Sequence, residues 1–302
     1  MRKALLWGIG SEFSRHLNLI HYFEMEMELS IVGVTAKEEL YDVIYGYTFY
    51  RKEKLLQLNF DLIIVMSDLA FQEIEYEIKK IKIDVPVVPC TALEIPGFNF
   101  DKYINIKENV PTIFSCNCWG GLMYHRLGLP FISPFINLFV KDKEFLRFLH
   151  APRFYMNQTL EWGYMDYDKY LNKEYPVGIC GDIEIHFNHY ENYNDAKTNW
   201  EKRRERIRWD RIFVMMYTED ESVALHFSQL PYEQKVCFVP FKSEIQGICS
   251  IPYSNMKDIP FFEIVNGIAS GKYHYFDILS ILSGKVDKVA DFARYDKLVE
   301  EK

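Results

Sequence analysis

Along the first hundred positions the apolar residues fall into short runs separated by amphipathic stretches. Residues 4–7 form one such run, ending in Gly8-Ile9-Gly10. Ser11 then offers an N-cap to a helix that carries Phe13, Leu17, Ile20 and Phe23 at helical spacing. Residues 29–34, 61–66 and 85–88 read as further strands, and 71–81 as a helix with Ile74, Ile78 and Ile81 on one face. Apolar strands alternating with helices predict a parallel sheet covered on both sides. Beyond Val110 the alternation continues, with strands expected at 112–118, 183–187, 212–217, 235–239 and 248–251. Helices are expected at 141–149, 195–207, 219–228 and 276–282. The expected fold class is α/β: an N-terminal Rossmann-like parallel sheet over 1–108, closed by the turn-rich residues 95–100, then a second, larger α/β domain over 109–302 that carries the candidate active site.

Composition narrows the function classes. The 302 residues are 49% hydrophobic and 26% charged, ample for two cores. A net charge of −8 works against phosphate neutralisation, so no nucleic-acid partner is expected. No run approaches the roughly 20 apolar residues that span a bilayer. Residues 1–10 are too short in their apolar part for a signal peptide and lack a small-residue cleavage site. The cysteines (Cys90, Cys116, Cys118, Cys180, Cys237 and Cys249) are scattered through expected strands, the pattern of reduced cytoplasmic thiols.

Gly8-Ile9-Gly10, between strand and helix, is the context in which backbone N–H groups hold a phosphate, which makes Gly8, Gly10 and Ser11 candidate cofactor-binding residues. The fingerprint is incomplete: Phe13 occupies the third glycine position, and the second strand ends at Val34-Thr35 without an acidic ribose partner. NAD is therefore disfavoured, a nucleotide-sugar is admitted, and tight strand–helix packing accounts for the same glycines.

Ser115-Cys-Asn-Cys-Trp-Gly-Gly121 sits where an apolar strand ends, the place at which open α/β sheets bind ligands. With Cys116 and Cys118 two apart, a strand running through 118 puts both thiols on one face. Cys118 is a candidate nucleophile, with His125 on the following helix. Asn117, Gly120 and Gly121 could instead hold an oxyanion or a phosphate, and both cysteines could simply be small core residues. Zinc is not expected here, since C-x-C has no matching second pair. In Gly181-Asp-Ile-Glu-Ile-His-Phe-Asn-His189 the alternation puts Asp182, Glu184, His186 and Asn188 on one face. That face builds an acid–base site, with His186 or His189 as base to Cys118 and Asp182 as its orienter, or binds a divalent metal through Asp182, Glu184 and His186, or is a solvated strand face. Arg203 and Arg204, in the basic helix, are candidate anchors for the anionic groups of coenzyme A or a nucleotide-sugar, or part of a solvated face. No D-x-D pair is read at a strand end, which counts against metal-dependent glycosyl transfer.

Two resemblances sharpen this reading. LLWGIGSEF, IVGVT, YDVIYGYTF and FDLIIVMS resemble the Rossmann-like domains attached to sugar acyltransferases. TIFSCNCWGGLMYHRLGLPFISPFINLF, PVGICGDIEIHFNHY, DAKTNWEKRRERIRWDRIFVMM and LPYEQKVCFVPF resemble a bacterial family linked by name to exopolysaccharide biosynthesis and catalogued as a domain of unknown function. Members of that family often read Asn-Asn-Cys-Trp-Gly-Gly, where this chain has Cys116 first. The resemblance implies a role in surface-glycan synthesis and supplies no mechanism. Taken with the candidate residues, it leads to the expectation of a transferase, with acyl transfer from coenzyme A ahead of glycosyl transfer, acting on a glycan or sugar nucleotide in contact with glycan-assembly machinery. A non-catalytic nucleotide-sugar-binding or scaffold protein is the alternative.

Overall fold

The computed structural model describes residues 1–37, 42–251, 258–274 and 276–284. Tyr41 in the resemblance to acyltransferase-linked domains, and the last residues expected in the second domain (285–302), lie outside them. The chain divides into two compact units, Met1–Phe98 with Arg126–Gly128, and Asn99–His125 with residues 129–284.

In the first unit the chain runs β1 (Arg2–Trp7), α1 (Ser11–Met25), β2 (Leu29–Thr35), a hairpin of β3 (Val43–Ile44) and β4 (Tyr47–Thr48), β5 (Leu62–Val65), α2 (Phe71–Lys80), β6 (Val87–Pro89) and α3 (Cys90–Leu93). The sheet order is β2-β1-β5-β6, all parallel. Its apolar runs are buried as expected, with Leu5, Trp7, Ile63, Val65, Phe71, Ile78 and Val87 in one core. Strand order reverses between β1 and β5, so the carboxyl ends of those strands flank a crevice. Gly8 lies there at φ +116, where a Cβ would meet Met66 O at 3.2 Å, so backbone conformation and close packing both call for glycine. Above Gly10 a Cβ would meet nothing within 4 Å. Gly10, rather than Ser11, is the N-cap, and Ser11 is the first helical residue.

The second unit runs α4 (Phe100–Glu108), β7 (Thr112–Ser115), α5 (Trp119–Arg126), α6 (Asp142–His150), α7 (Pro152–Asn157), β8 (Leu160–Asp168), β9 (Lys173–Cys180) and β10 (Ile183–His186). It continues with α8 (Tyr193–Arg204), β11 (Ile212–Tyr217), α9 (Glu221–Ser228), β12 (Lys235–Val239), β13 (Ile248–Ser250), α10 (Phe261–Ser270) and α11 (Ile278–Leu282). A parallel sheet of order β13-β12-β11-β7 and an antiparallel meander β10-β9-β8 make up its layers. A short strip joins them. Val140 N–H donates to Cys116 O at 2.9 Å, while Phe139 and His186 exchange two backbone bonds of 2.9 Å. The ends of β7 and β10 are thereby held one strip apart.

The parallel strands match their apolar runs closely, but β7 stops at Ser115 and does not reach 118. The meander strands β8 and β9 are not anticipated by periodicity. β8 is an edge strand with Trp162, Tyr164 and Tyr167 all exposed, so burial imposes no alternation on it.

Phe135 is the hub of the second core. Its ring lies 4.8 Å from Phe148, 5.5 Å from Phe114 and from Phe145, and 5.6 Å from Trp200, centroid to centroid. Such buried edge-on and tilted contacts each add to area burial. Phe135→Ala is expected to lower unfolding stability by about 3–5 kcal/mol, read from chemical denaturation. A loss under about 1 kcal/mol would remove Phe135 from that role.

Candidate functional site

At the carboxyl edge of β7 the chain turns straight into α5, and the turn is built by its own polar groups. Ser115 Oγ donates to Asn117 O at 2.8 Å and accepts from Gly120 N–H at 3.2 Å, while Asn117 Oδ1 accepts from Trp119 N–H at 3.1 Å. A Cβ at Gly120 would stand 2.7 Å from Ser115 Oγ, so this glycine is needed for the turn, and its N–H is already engaged. At Gly121 a Cβ would make ordinary contact with Ile136. Asn117 is buried, and its Nδ2 has no hydrogen-bond partner among the described residues.

Because β7 ends early, the two thiols diverge instead of sharing a face. Cys116 is sealed in the core, where it accepts from Tyr217 N–H at 3.4 Å and burial pushes its pKa up to about 12. Cys118 is half-buried at the head of α5, and its Sγ lies 3.2 Å from His189 Nε2. Burial, then the Asp168 carboxylate, push the Cys118 thiol up to about 11, against the helix N-terminus that would lower it. His189 reaches solvent, yet packing around its ring and the Lys173 charge hold its pKa below 6.5. At neutral pH the pair is therefore thiol and neutral imidazole. In the tautomer with its proton on Nδ1, Nε2 accepts from the thiol.

The carboxylate nearest this pair is Asp168, at the end of β8. Its Oδ1 accepts from the Tyr170 and Leu171 N–H groups at 2.9 and 3.0 Å, and its Oδ2 from Asn188 Nδ2 at 3.2 Å. Burial raises its pKa, but these donors and His189 outweigh that and hold the group ionised. Sequence reasoning missed Asp168 along with β8. Asp166-Tyr167-Asp168 is in fact a D-x-D pair at a strand end, contrary to expectation. The signal that could have found it is the pairing of 160–168 with 173–180 about a polar turn.

The other expected site residues lie elsewhere. His186 is on β10 beside the strip, 1% exposed and stacked on Phe139 at 4.4 Å. Its Nδ1 lies 3.2 Å from Tyr175 OH, which donates to Asp166, and its Nε2 stands 3.5 Å from Glu184 Oε2. Burial, then Lys141, lower its pKa to about 4, so it is neutral. Asp182 is exposed at the opposite end of β10, accepts from Tyr155 OH at 2.7 Å and lies 3.8 Å from Arg147. Glu184 is paired with Lys141 at 2.9 Å. His125 is exposed near the C-terminal end of α5. Arg203 donates to Ile136 O and Tyr190 OH, and Arg204 to Gln158 O, so both act as clamps at the end of α8. Of the expected residues, the structure brings together Cys118, Asn117 and His189.

A cleft of about 510 Å³ opens on the same carboxyl edge, lined by Cys116, Phe139, Lys141, Asp142 and residues 217–220. A larger one of about 720 Å³ lies where β7, β11 and β12 begin, away from the thiol–imidazole pair. Chemistry in open α/β sheets sits at the carboxyl ends, so the smaller cleft is the relevant one.

Residues 1–87 match the family described as C2185-like, N-terminal. Over 130 residues the chain is 39% identical to an uncharacterized protein of Haemophilus influenzae, an overlap of 42% of this chain and 60% of that protein. The chain thus spans about three fifths of the length of the curated relative it matches. No helix among the described residues is long and apolar enough to cross a membrane. Residues 90–283, which include Cys118, Asp168 and His189, match the domain of unknown function DUF1919, and since this is more than half of the chain, the protein belongs to the DUF1919 family.

Proposed function

We propose that the protein is a transferase of surface-glycan assembly that carries an acyl group on Cys118, with His189 as general base. The observation that supports this most is the 3.2 Å contact between Cys118 Sγ and His189 Nε2 at the carboxyl edge of the sheet. In the first half-reaction His189 takes the thiol proton as sulfur attacks the carbonyl of an acyl thioester such as acyl-coenzyme A. The leaving thiolate recovers that proton. In the second half, His189 deprotonates an acceptor hydroxyl, which attacks the Cys118 thioester, and the Cys118 sulfur leaves and is reprotonated. The buried, unpaired Asn117 Nδ2 is the donor suited to the oxyanion in both halves. The cleft on the same carboxyl edge, which Cys118 and His189 themselves do not line, carries Asp142, Glu219 and Asp220 beside Lys141, polar groups suited to the hydroxyls of a sugar acceptor. The glycan assignment itself rests on the resemblance of residues 111–241.

A second reading, metal-assisted glycosyl transfer, draws on the D-x-D pair ending β8. Both carboxylates already accept hydrogen bonds from their own turn and neighbours, which favours the thiol reading. Turnover that requires Mn²⁺ or Mg²⁺ and disappears in Asp166→Asn would reverse the preference.

Incubation with acyl-coenzyme A is expected to add one acyl group to Cys118 by intact-mass measurement. The adduct should be absent in Cys118→Ser, and its formation slowed about 10²–10³-fold in Asn117→Ala; acylation that persists in Cys118→Ser would end the proposal. A thiol with a pKa of about 11 predicts that iodoacetamide labels Cys118 slowly at pH 7, with a rate climbing about tenfold per pH unit towards that value. A plateau below pH 8 would mean a thiolate–imidazolium pair instead. On the acid side, turnover should fall only as His189 gains a proton below 6.5, because the protonated ring cannot accept from sulfur.

A further inference from the structure

The first unit contains a second cysteine–histidine cluster that the thiol chemistry above does not use. Glu12 and His16 stand four residues apart on one face of α1, and Cys90 follows the end of β6. Each offers one donor atom, and the three atoms lie within 4.8 Å of one another. His16 is only 2% exposed. Its Nδ1 stands 2.7 Å from the Glu12 backbone carbonyl and 3.6 Å from the Glu12 carboxylate, and its Nε2 lies 2.9 Å from Glu94 Oε1 without being aligned for a hydrogen bond. Arg15 pairs with both carboxylates, at 2.6 Å from Glu94 and 3.2 Å from Glu12.

We propose that Glu12, His16 and Cys90 form a zinc site, with the Glu12 backbone carbonyl and the Glu94 carboxylate flanking the His16 ring. The donor set is the warrant. A thiolate with an imidazole selects zinc over magnesium or calcium, and a carboxylate oxygen completes the three protein ligands of a site that keeps one position open. A metal-bound histidine characteristically gives its other ring N–H to a carboxylate or a backbone carbonyl, and the Glu12 carbonyl at Nδ1 and Glu94 at Nε2 stand in such places. Without a cation the thiol keeps its proton: burial, then Glu12, Glu94 and Asp68, push Cys90 up to about 12. A divalent cation reverses that field. Binding releases the thiol proton to solvent, so affinity rises with pH.

The test is Co²⁺ titration of the chelator-treated full chain, followed by its thiolate-to-cobalt absorption and by competition with Zn²⁺. One equivalent per chain is expected, with the band lost in Cys90→Ser and kept in Cys118→Ser. Affinity should drop at least tenfold in Glu12→Gln and about 10–100-fold in Glu94→Gln. Glu12 is only partly buried, so its variant reports even where Cys90→Ser fails to fold. A wild-type chain with no thiolate band, a band that survives Cys90→Ser, or unchanged affinity in Glu12→Gln overturns the assignment.

Discussion

The second unit depends on a strip of two residues. Val140 donates to Cys116 O, and Phe139 exchanges a pair of backbone bonds with His186. A parallel sheet and an antiparallel meander have no common register of their own. These three hydrogen bonds stitch them edge to edge and satisfy backbone groups that would otherwise be buried unpaired. The same stitch fixes where two loops emerge. The turn after β7 delivers Cys118, and the turn after β10 delivers His189, so a contact between residues 71 apart follows from backbone pairing alone. His186 is best understood as part of that stitch, since its ring stacks on Phe139 and is linked through Tyr175 to Asp166.

Electrostatics at the pair then decides what kind of thiol Cys118 is. Its position at the head of α5 favours the anion, but burial and the Asp168 charge oppose it and win. Asp168 also has a positioning part. It is tied to Asn188 and to the turn after β8, and it holds that turn beside the ring. In the proposed acyl transfer, a neutral pair depends on proton transfer at the moment of attack, which would make the imidazole indispensable and keep the resting thiol protected from adventitious alkylation and oxidation.

Much of this was legible in the residues. Fully buried strands such as β5 and β11 announce themselves as apolar runs, and the Rossmann-like order follows from their alternation with helices. What failed to register did so for identifiable reasons. Past the buried Leu160, β8 is largely exposed, so its Trp162, Tyr164 and Tyr167 carry no period, and with that strand go Asp168 and the D-x-D pair. Periodicity extends β7 too far because Cys116 continues its apolar character. Only the Ser115–Asn117–Gly120 hydrogen bonds, which are local and invisible to periodicity, end it there. Asp182 looked like a partner for histidine by alternation along β10, yet a strand face is long enough for its two ends to serve different neighbours.

The two cysteine–histidine clusters show how surroundings assign chemistry to the same residue types. Around Cys118 and His189 the one nearby carboxylate is satisfied by its own donors, the sulfur reaches partly to the surface, and an unpaired amide lies next in sequence. That is a setting for making and breaking a covalent bond. Around Cys90 and His16, by contrast, the sulfur is buried, and two carboxylates that also pair with Arg15 stand beside it and the imidazole, a donor set suited to a cation. Exchanging the two environments would exchange the roles. The pairing of sulfur with imidazole is common to both, and the count and freedom of the neighbouring carboxylates is what separates a nucleophile from a ligand.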